Sequence, residues 1–169
     1  MGVRDFGSLP SEARLWVFNT GEAISPDMRE RLQREVENFL AGWAAHGADL
    51  SAGFRIVEDR FLLVGVDQDV TAPSGCSIDA MTRFLRDLGR EINFDILDAP
   101  PCCYREGEEV RCVSRQHFAE LAESGEVTGS TTVFDLTVTS VGDVLEGRFE
   151  RPLEGSWYER AFPVATAEG

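Results

Sequence analysis

The chain has 169 residues, of which 30 are acidic and 16 basic, for a formal net charge of −14. All the basic residues are arginine, which excludes any chemistry that needs a lysine: a P-loop ammonium, a Schiff base or a lysine general base. The acid excess repels phosphate backbones, so nucleic acid is not an expected partner, and an acidic, lysine-free surface suits high salt.

Residues 1 to 20 mix Arg4, Asp5, Glu12 and Arg14 with apolar side chains, so no signal peptide is expected and the cytoplasm is the expected compartment. Arg14 to Thr20 carries four consecutive apolar residues, several aromatic or β-branched, and predicts a strand buried on both faces. Ser25-Pro26-Asp27 then reads as a helix start: a serine cap, proline in the first turn and an early acid. Met28, Leu32, Val36, Phe39, Leu40 and Trp43 form one stripe of that helix, which is expected to end near His46-Gly47. Phe54 to Val57 alternates like a half-exposed strand, and a tight turn at Glu58-Asp59 leads into Phe61 to Val66, apolar almost throughout. The longest apolar run, Phe61 to Val64, is far too short to insert in a membrane. A second helix follows Gly75, with Ile78, Met81, Phe84, Leu85, Leu88 and Ile92 on one face. Phe94 to Leu97 predicts a short strand, stopped by Pro100-Pro101.

The order β-α-β-β-α-β over residues 13–98 is that of a ferredoxin-like α+β fold, whose central strands are the first and third. Beyond the double proline, Tyr104 to Val110 predicts a hairpin with a Glu-Gly turn. Ser114 caps a short helix, Arg115 to Glu123, ended by Gly125. Thr131 to Thr139 alternates and is expected to pair with Val144 to Phe149 across Val141-Gly142-Asp143. The expected organisation is one domain over residues 1–169: a core at 13–98, an extension at 102–160 packed on it, and a loose tail at 161–169, Phe162 aside. Trp157 and Tyr158 are expected to anchor the C-terminal segment to the main sheet.

Several of these residues are familiar together. Trp16, Gly42-Trp43-Ala44-Ala45-His46-Gly47, Arg60-Phe61, Ser74-Gly75-Cys76-Ser77-Ile78-Asp79 and Ser156-Trp157 resemble a family of small, uncharacterised bacterial proteins often labelled ABC transporter ATPase. The resemblance runs from about 8 to 160, and Ser-Gly-Cys-Ser-Ile-Asp is its most specific piece. It implies no activity, cofactor or site residue. The ATPase label does not suit this sequence, which has no G-x-x-x-x-G-K-[ST] and no lysine to complete one.

The candidate site is Ser74-Gly75-Cys76-Ser77 with Asp79, where the chain leaves a strand and enters a helix. Ser77 is read as the cap. Unpaired amides at a helix start favour anions and stabilise a thiolate, which would make Cys76 a nucleophile. Against that, Cys76 also packs well as a small hydrophobe, and Asp79 would oppose a thiolate. The phosphatase spacing Cys-x5-Arg fails, because Arg83 stands at x6, and no Gly-x-Ser-x-Gly elbow occurs. His46 as a base for Cys76 would need antiparallel helices, which this reading does not expect, and His117 reads as a surface residue. Asp67 and Asp69 could hold magnesium or calcium, but a chain with 30 acids gives such pairs by chance. Cys76, Cys102, Cys103 and Cys112 match no zinc spacing and no disulfide framework. No cofactor is expected. Arg83, Arg86 and Arg90 share a helix face with Asp87 and Glu91 among them, a salt-bridged surface on which an acidic partner could dock. The leading expectation is a cytoplasmic domain that binds a small anion or a protein near residues 74–79. The alternatives are a Cys76-dependent hydrolase or transferase, and an assembly module that dimerises through an edge strand.

Overall fold

The computed structural model describes residues 3–164. Its elements in chain order are β1 (Arg14–Asn19), α1 (Pro26–Ala41), β2 (Ala44–Ala45), β3 (Ala48–Asp49), β4 (Ala52–Val57), β5 (Phe61–Val66) and α2 (Gly75–Ile92). Then follow β6 (Cys102–Glu106), β7 (Glu109–Val113), α3 (Arg115–Ser124), β8 (Thr132–Phe134), α4 (Val141–Leu145), β9 (Glu150–Pro152) and α5 (Trp157–Ala161). Helices and antiparallel sheets make this an α+β protein. The described residues form two compact units: 3–99 with 138–146, and 100–137 with 147–164.

The first unit is built on β5, in which every residue is buried. Its sheet has the order β1-β5-β4, antiparallel throughout. Alternation sends Leu62, Val64 and Val66 into a core with Leu32, Val36 and Leu40 of α1 and Met81, Leu85 and Leu88 of α2. The opposite side chains need a second cover. The glycine at position 65 shows what supplies it, since a Cβ there would stand 2.7 Å from both Leu9 and Val141. Residues 138–146 therefore pack on the first unit. Leu15 donates its N–H to Thr139 O (2.9 Å), Val141 donates to Ala13 O (2.9 Å), and Arg14 bridges Ser140.

The order keeps the first, third and second strands of the ferredoxin-like expectation as neighbours, but the fourth strand is missing. Phe94–Leu97 forms no strand, and β1 lies at the sheet edge beside residues 139–141. Asn93 turns left-handed at φ 63°, and the Asp95 carboxylate accepts the N–H groups of Leu97 and Asp98 at 3.2 and 3.1 Å. Those bonds curl the run into a turn, while Ile96 is still buried. The first helix also stops sooner than expected, at Ala41. His46 is not a helix end but half of the two-residue β2–β3 turn, where His46 (φ 54°) and Gly47 (φ 76°) are both left-handed.

The second unit has a four-stranded antiparallel sheet of order β7-β6-β8-β9. The expected pairing of Thr131–Thr139 with Val144–Phe149 is made only at its end, where Asp135 donates its N–H to Phe149 O (2.7 Å). Thr132–Phe134 pairs with Glu150–Pro152, and Val141–Leu145 is a helix. A reciprocal capping box explains it: Ser140 Oγ accepts the Asp143 N–H, and Asp143 accepts the Ser140 N–H. Helix α3 starts as expected, with Ser114 Oγ accepting the His117 N–H, and Gly125 at φ 81° ends it. Phe118 and Leu121 pack with Cys102, Tyr104 and Val133.

Tyr158 is fully buried and belongs to this sheet, not to the sheet of the first unit. Its hydroxyl accepts the Cys103 N–H (3.2 Å) and donates to Phe134 O (2.9 Å), standing in for a ladder bond between β6 and β8. Phe162 stacks edge-on against Phe118 and is buried, so the expected tail is packed at least this far; residues 165–169 lie outside the described residues.

Two substitutions test these contacts. Gly142 donates its N–H to Ser11 O, and a Cβ there would come 2.8 Å from the same oxygen. Gly142→Ala should therefore cost about 1–3 kcal/mol in urea unfolding, as overpacking does. Tyr158→Phe leaves a buried N–H and a buried carbonyl without their bridge, and should cost a similar amount, about 1–3 kcal/mol, by the same measurement.

Candidate functional site

Ser74, not Ser77, is the cap of α2. Ser74 Oγ accepts the Ser77 N–H at 3.1 Å, and Ser77 Oγ accepts the Ser74 N–H at 2.8 Å and donates to Ser74 O at 2.7 Å. Ser77 is buried, where Trp43 Nε1 donates to its carbonyl at 2.8 Å. The capping box thus occupies both serine side chains and the Ser77 amide. Gly75 and Cys76 hold the first two helical positions, whose N–H groups have no partner within a helix. Cys76 is exposed, and so is Asp79 one turn on.

The Trp43 contact also fixes the helix directions. The end of α1 meets the start of α2, Phe39 stacks on Phe84 with centroids 4.5 Å apart, and Arg31 near the start of α1 pairs with Glu91 near the end of α2. The helices run antiparallel, contrary to the sequence reading. His46 is nonetheless exposed in its own turn, and no described residue hydrogen-bonds the Cys76 thiol.

Of the metal candidates, Asp67 is otherwise engaged. One oxygen of Asp67 pairs with Arg4 at 3.0 Å and the other accepts the Asp69 N–H at 3.1 Å. Cys76 belongs to the first unit, and Cys102, Cys103 and Cys112 to the second. Among the described residues no group of three or more His, Cys, Asp or Glu is placed to hold a metal ion.

A concave site lies at the other end of the helix. A cleft of about 620 Å³ is lined by Arg86, Gly89 and Arg90 of α2 and by the turn that follows, Asn93 to Asp98. Gly89 makes it: Asn93 and Phe94 both donate to Gly89 O, and a Cβ on Gly89 would strike Phe94 O at 2.4 Å. Phe94, Ile96 and Leu97 pack on the core of the first unit, so the lining is anchored. Of the cations, Arg90 faces Asp87 at 3.8 Å across an exposed surface, a pairing worth little in water, whereas Arg86 makes no ion pair with a described residue. The Asp95 carboxylate takes both turn bonds on one oxygen, and Asp98 adds a second carboxylate to the lining. The sequence marked Arg86 and Arg90 as one face; the cleft itself depends on Gly89 and Asn93, a glycine late in a helix followed by an asparagine, which is a C-cap signal.

The groups whose titration shifts lie elsewhere, in the second unit. Burial pushes the Cys102 thiol up to about 11 from an ordinary 9.0, against the pull of Arg115. Burial also raises the Tyr104 and Tyr158 hydroxyls, the second despite the Cys103 N–H that it accepts. Comparison with protein-family models, with curated proteins and with solved structures finds no match to the chain.

Each of the three groups holds its proton more tightly in the folded chain than in the unfolded one. For Cys102 that contribution is complete below about pH 9 and is lost as the pH rises through about 11, and the two tyrosines act in the same direction. The urea midpoint should fall over that interval, and Cys102→Ala should flatten the fall.

Proposed function

We propose that the first unit is a binding module for a small anion that carries an apolar group, held in the cleft at the end of α2. The observation that supports this is the combination of an uncommitted Arg86 with an apolar floor of Phe94, Ile96 and Leu97 in a cleft of about 620 Å³, a volume within the range of small-molecule sites. Arg86 offers its planar fork to a carboxylate or phosphate, and the floor takes the apolar body. Arg90 adds a second positive charge one turn on. At the start of the helix the capping box takes both serine side chains and the Ser74 and Ser77 amides, leaving only the Gly75 and Cys76 N–H groups, and no cation lies in that turn. The anion-binding reading of the sequence is therefore kept and its proposed place moves from residues 74–79 to residues 86–98.

Benzoate and phenyl phosphate are suitable probes, with inorganic phosphate and benzamide as the controls that lack the apolar body or the charge. Benzoate or phenyl phosphate should raise the melting temperature, since a ligand that binds only the folded state stabilises it. Arg86→Gln should weaken that binding about tenfold or more, the worth of one charge-assisted hydrogen bond. A melting temperature indifferent to both probes, or a shift that Arg86→Gln leaves intact, rejects the reading.

A further inference from the structure

We infer that Cys103 and Cys112 form a dithiol that closes to a disulfide on reaction with a low-molecular-weight disulfide, joining β6 to β7. The inference is independent of the cleft. The two residues are direct partners in the β6–β7 register, in which Glu106 faces Glu109 across the two-residue turn Gly107-Glu108. Gly107 alone of that turn has a positive φ, 64°, as a type II′ turn requires. The pair closing such a turn is hydrogen-bonded, and antiparallel pairs alternate from there. Counting back through Arg105–Val110 and Tyr104–Arg111 makes Cys103–Cys112 a pair without mutual backbone bonds.

A second observation reaches the same result. The Cys103 N–H donates to the Tyr158 hydroxyl, which itself donates to Phe134 O of β8. A residue in a strand directs its N–H and C=O to the same neighbour, so the backbone of Cys103 addresses β8 and not β7. Pairs of this kind have Cα atoms about 4.5 Å apart, inside the span of roughly 4.4–6.8 Å that a disulfide bridges. Both side chains project from one face of the sheet, whereas Cys102 and its partner Val113 project from the other and pack in the core. Cys102 is thus no competitor for Cys112.

Access sets the order of events. Cys112 is half-buried and Cys103 is fully buried. The Cys112 thiolate attacks one sulfur of the reagent and forms a mixed disulfide, releasing the first reagent thiol. The Cys103 thiolate then attacks the Cys112 sulfur, the S–S bond closes, and the second reagent thiol leaves. Two protein thiols give up two electrons and two protons, which the reagent carries away as two thiols.

The full-length Cys76→Ser variant, which removes the exposed thiol, tests this with oxidised glutathione as the reagent. Alkylation under denaturing conditions followed by peptide mapping should show residue 103 linked to residue 112, Cys102 alone alkylated, and the link reversed by dithiothreitol. Cys103→Ser should instead stop at a stable glutathione adduct on Cys112. Three alkylated thiols after treatment, a lasting adduct on Cys112 with Cys103 intact, or a link from Cys102 would each overturn the inference.

Discussion

A strand buried on both faces has to be covered twice, and β5 imposes that requirement on the whole first unit. Its six residues, Phe61 to Val66, leave no polar side to turn toward water. Helices α1 and α2 satisfy one face. The other face is met from both directions along the chain, by Phe6 and Leu9 ahead of β1 and by Val141 from far downstream. The absence of a side chain at Gly65 and Gly142 lets these segments come close enough to do so. The discontinuity of the first unit follows: the sequence between residues 100 and 137 folds on its own sheet, and the chain then returns to finish the cover.

The same return explains the fate of β1. A bare edge beside Arg14 and Leu15 would expose unpaired backbone groups, and such edges invite pairing with other chains. Thr139 and Val141 supply the missing partners, with the Ser140–Asp143 box turning the backbone away into α4 before a full strand can form. In the second unit a single side chain does comparable work. The Tyr158 hydroxyl accepts from one strand and donates to the next, so β6 and β8 remain joined where their backbones do not meet directly.

What the sequence made legible was whatever local chemistry decides. Ser25-Pro26 and Ser114 mark helix starts because the cap bonds are made within three residues. Gly125 marks a helix end for an equally local reason. Phe94–Leu97 misled because a run of four residues carries no period, and the turn there depends on Asp95 folding back onto its own backbone. Val141–Leu145 was legible in principle, since Ser140-x-x-Asp143 is a capping signal, but apolar alternation on either side argued for strands. Ser74 and Ser77 offer the same side chain at each end of one box, so residue type alone cannot tell cap from third residue. The opposition of Cys103 and Cys112 was readable from the hairpin once Gly107-Glu108 was taken as its turn, because the register then follows by counting. The cleft was not readable at all, as it exists only where Phe94 comes back over Gly89.

The arginine-only composition has a structural counterpart. Guanidinium groups lie over aromatic rings at Arg14–Trp16 (4.6 Å), Arg55–Phe6 (4.8 Å) and Arg105–Phe134 (5.3 Å), and Arg105 pairs with Glu150 at the same time. A planar fork can stack with its face and donate with its edge, which the point charge of an ammonium cannot do. Other arginines are held by carboxylates, as Arg4 is by Asp67 and Arg111 by Glu106 and Glu109. In a chain of net charge −14 the surrounding field disfavours anions, so an anion site cannot arise from general attraction and needs a specific cation on a surface that excludes water. Arg86 is a candidate for the first condition, since it pairs with no carboxylate of the described residues, and Phe94, Ile96 and Leu97 put apolar side chains beside it.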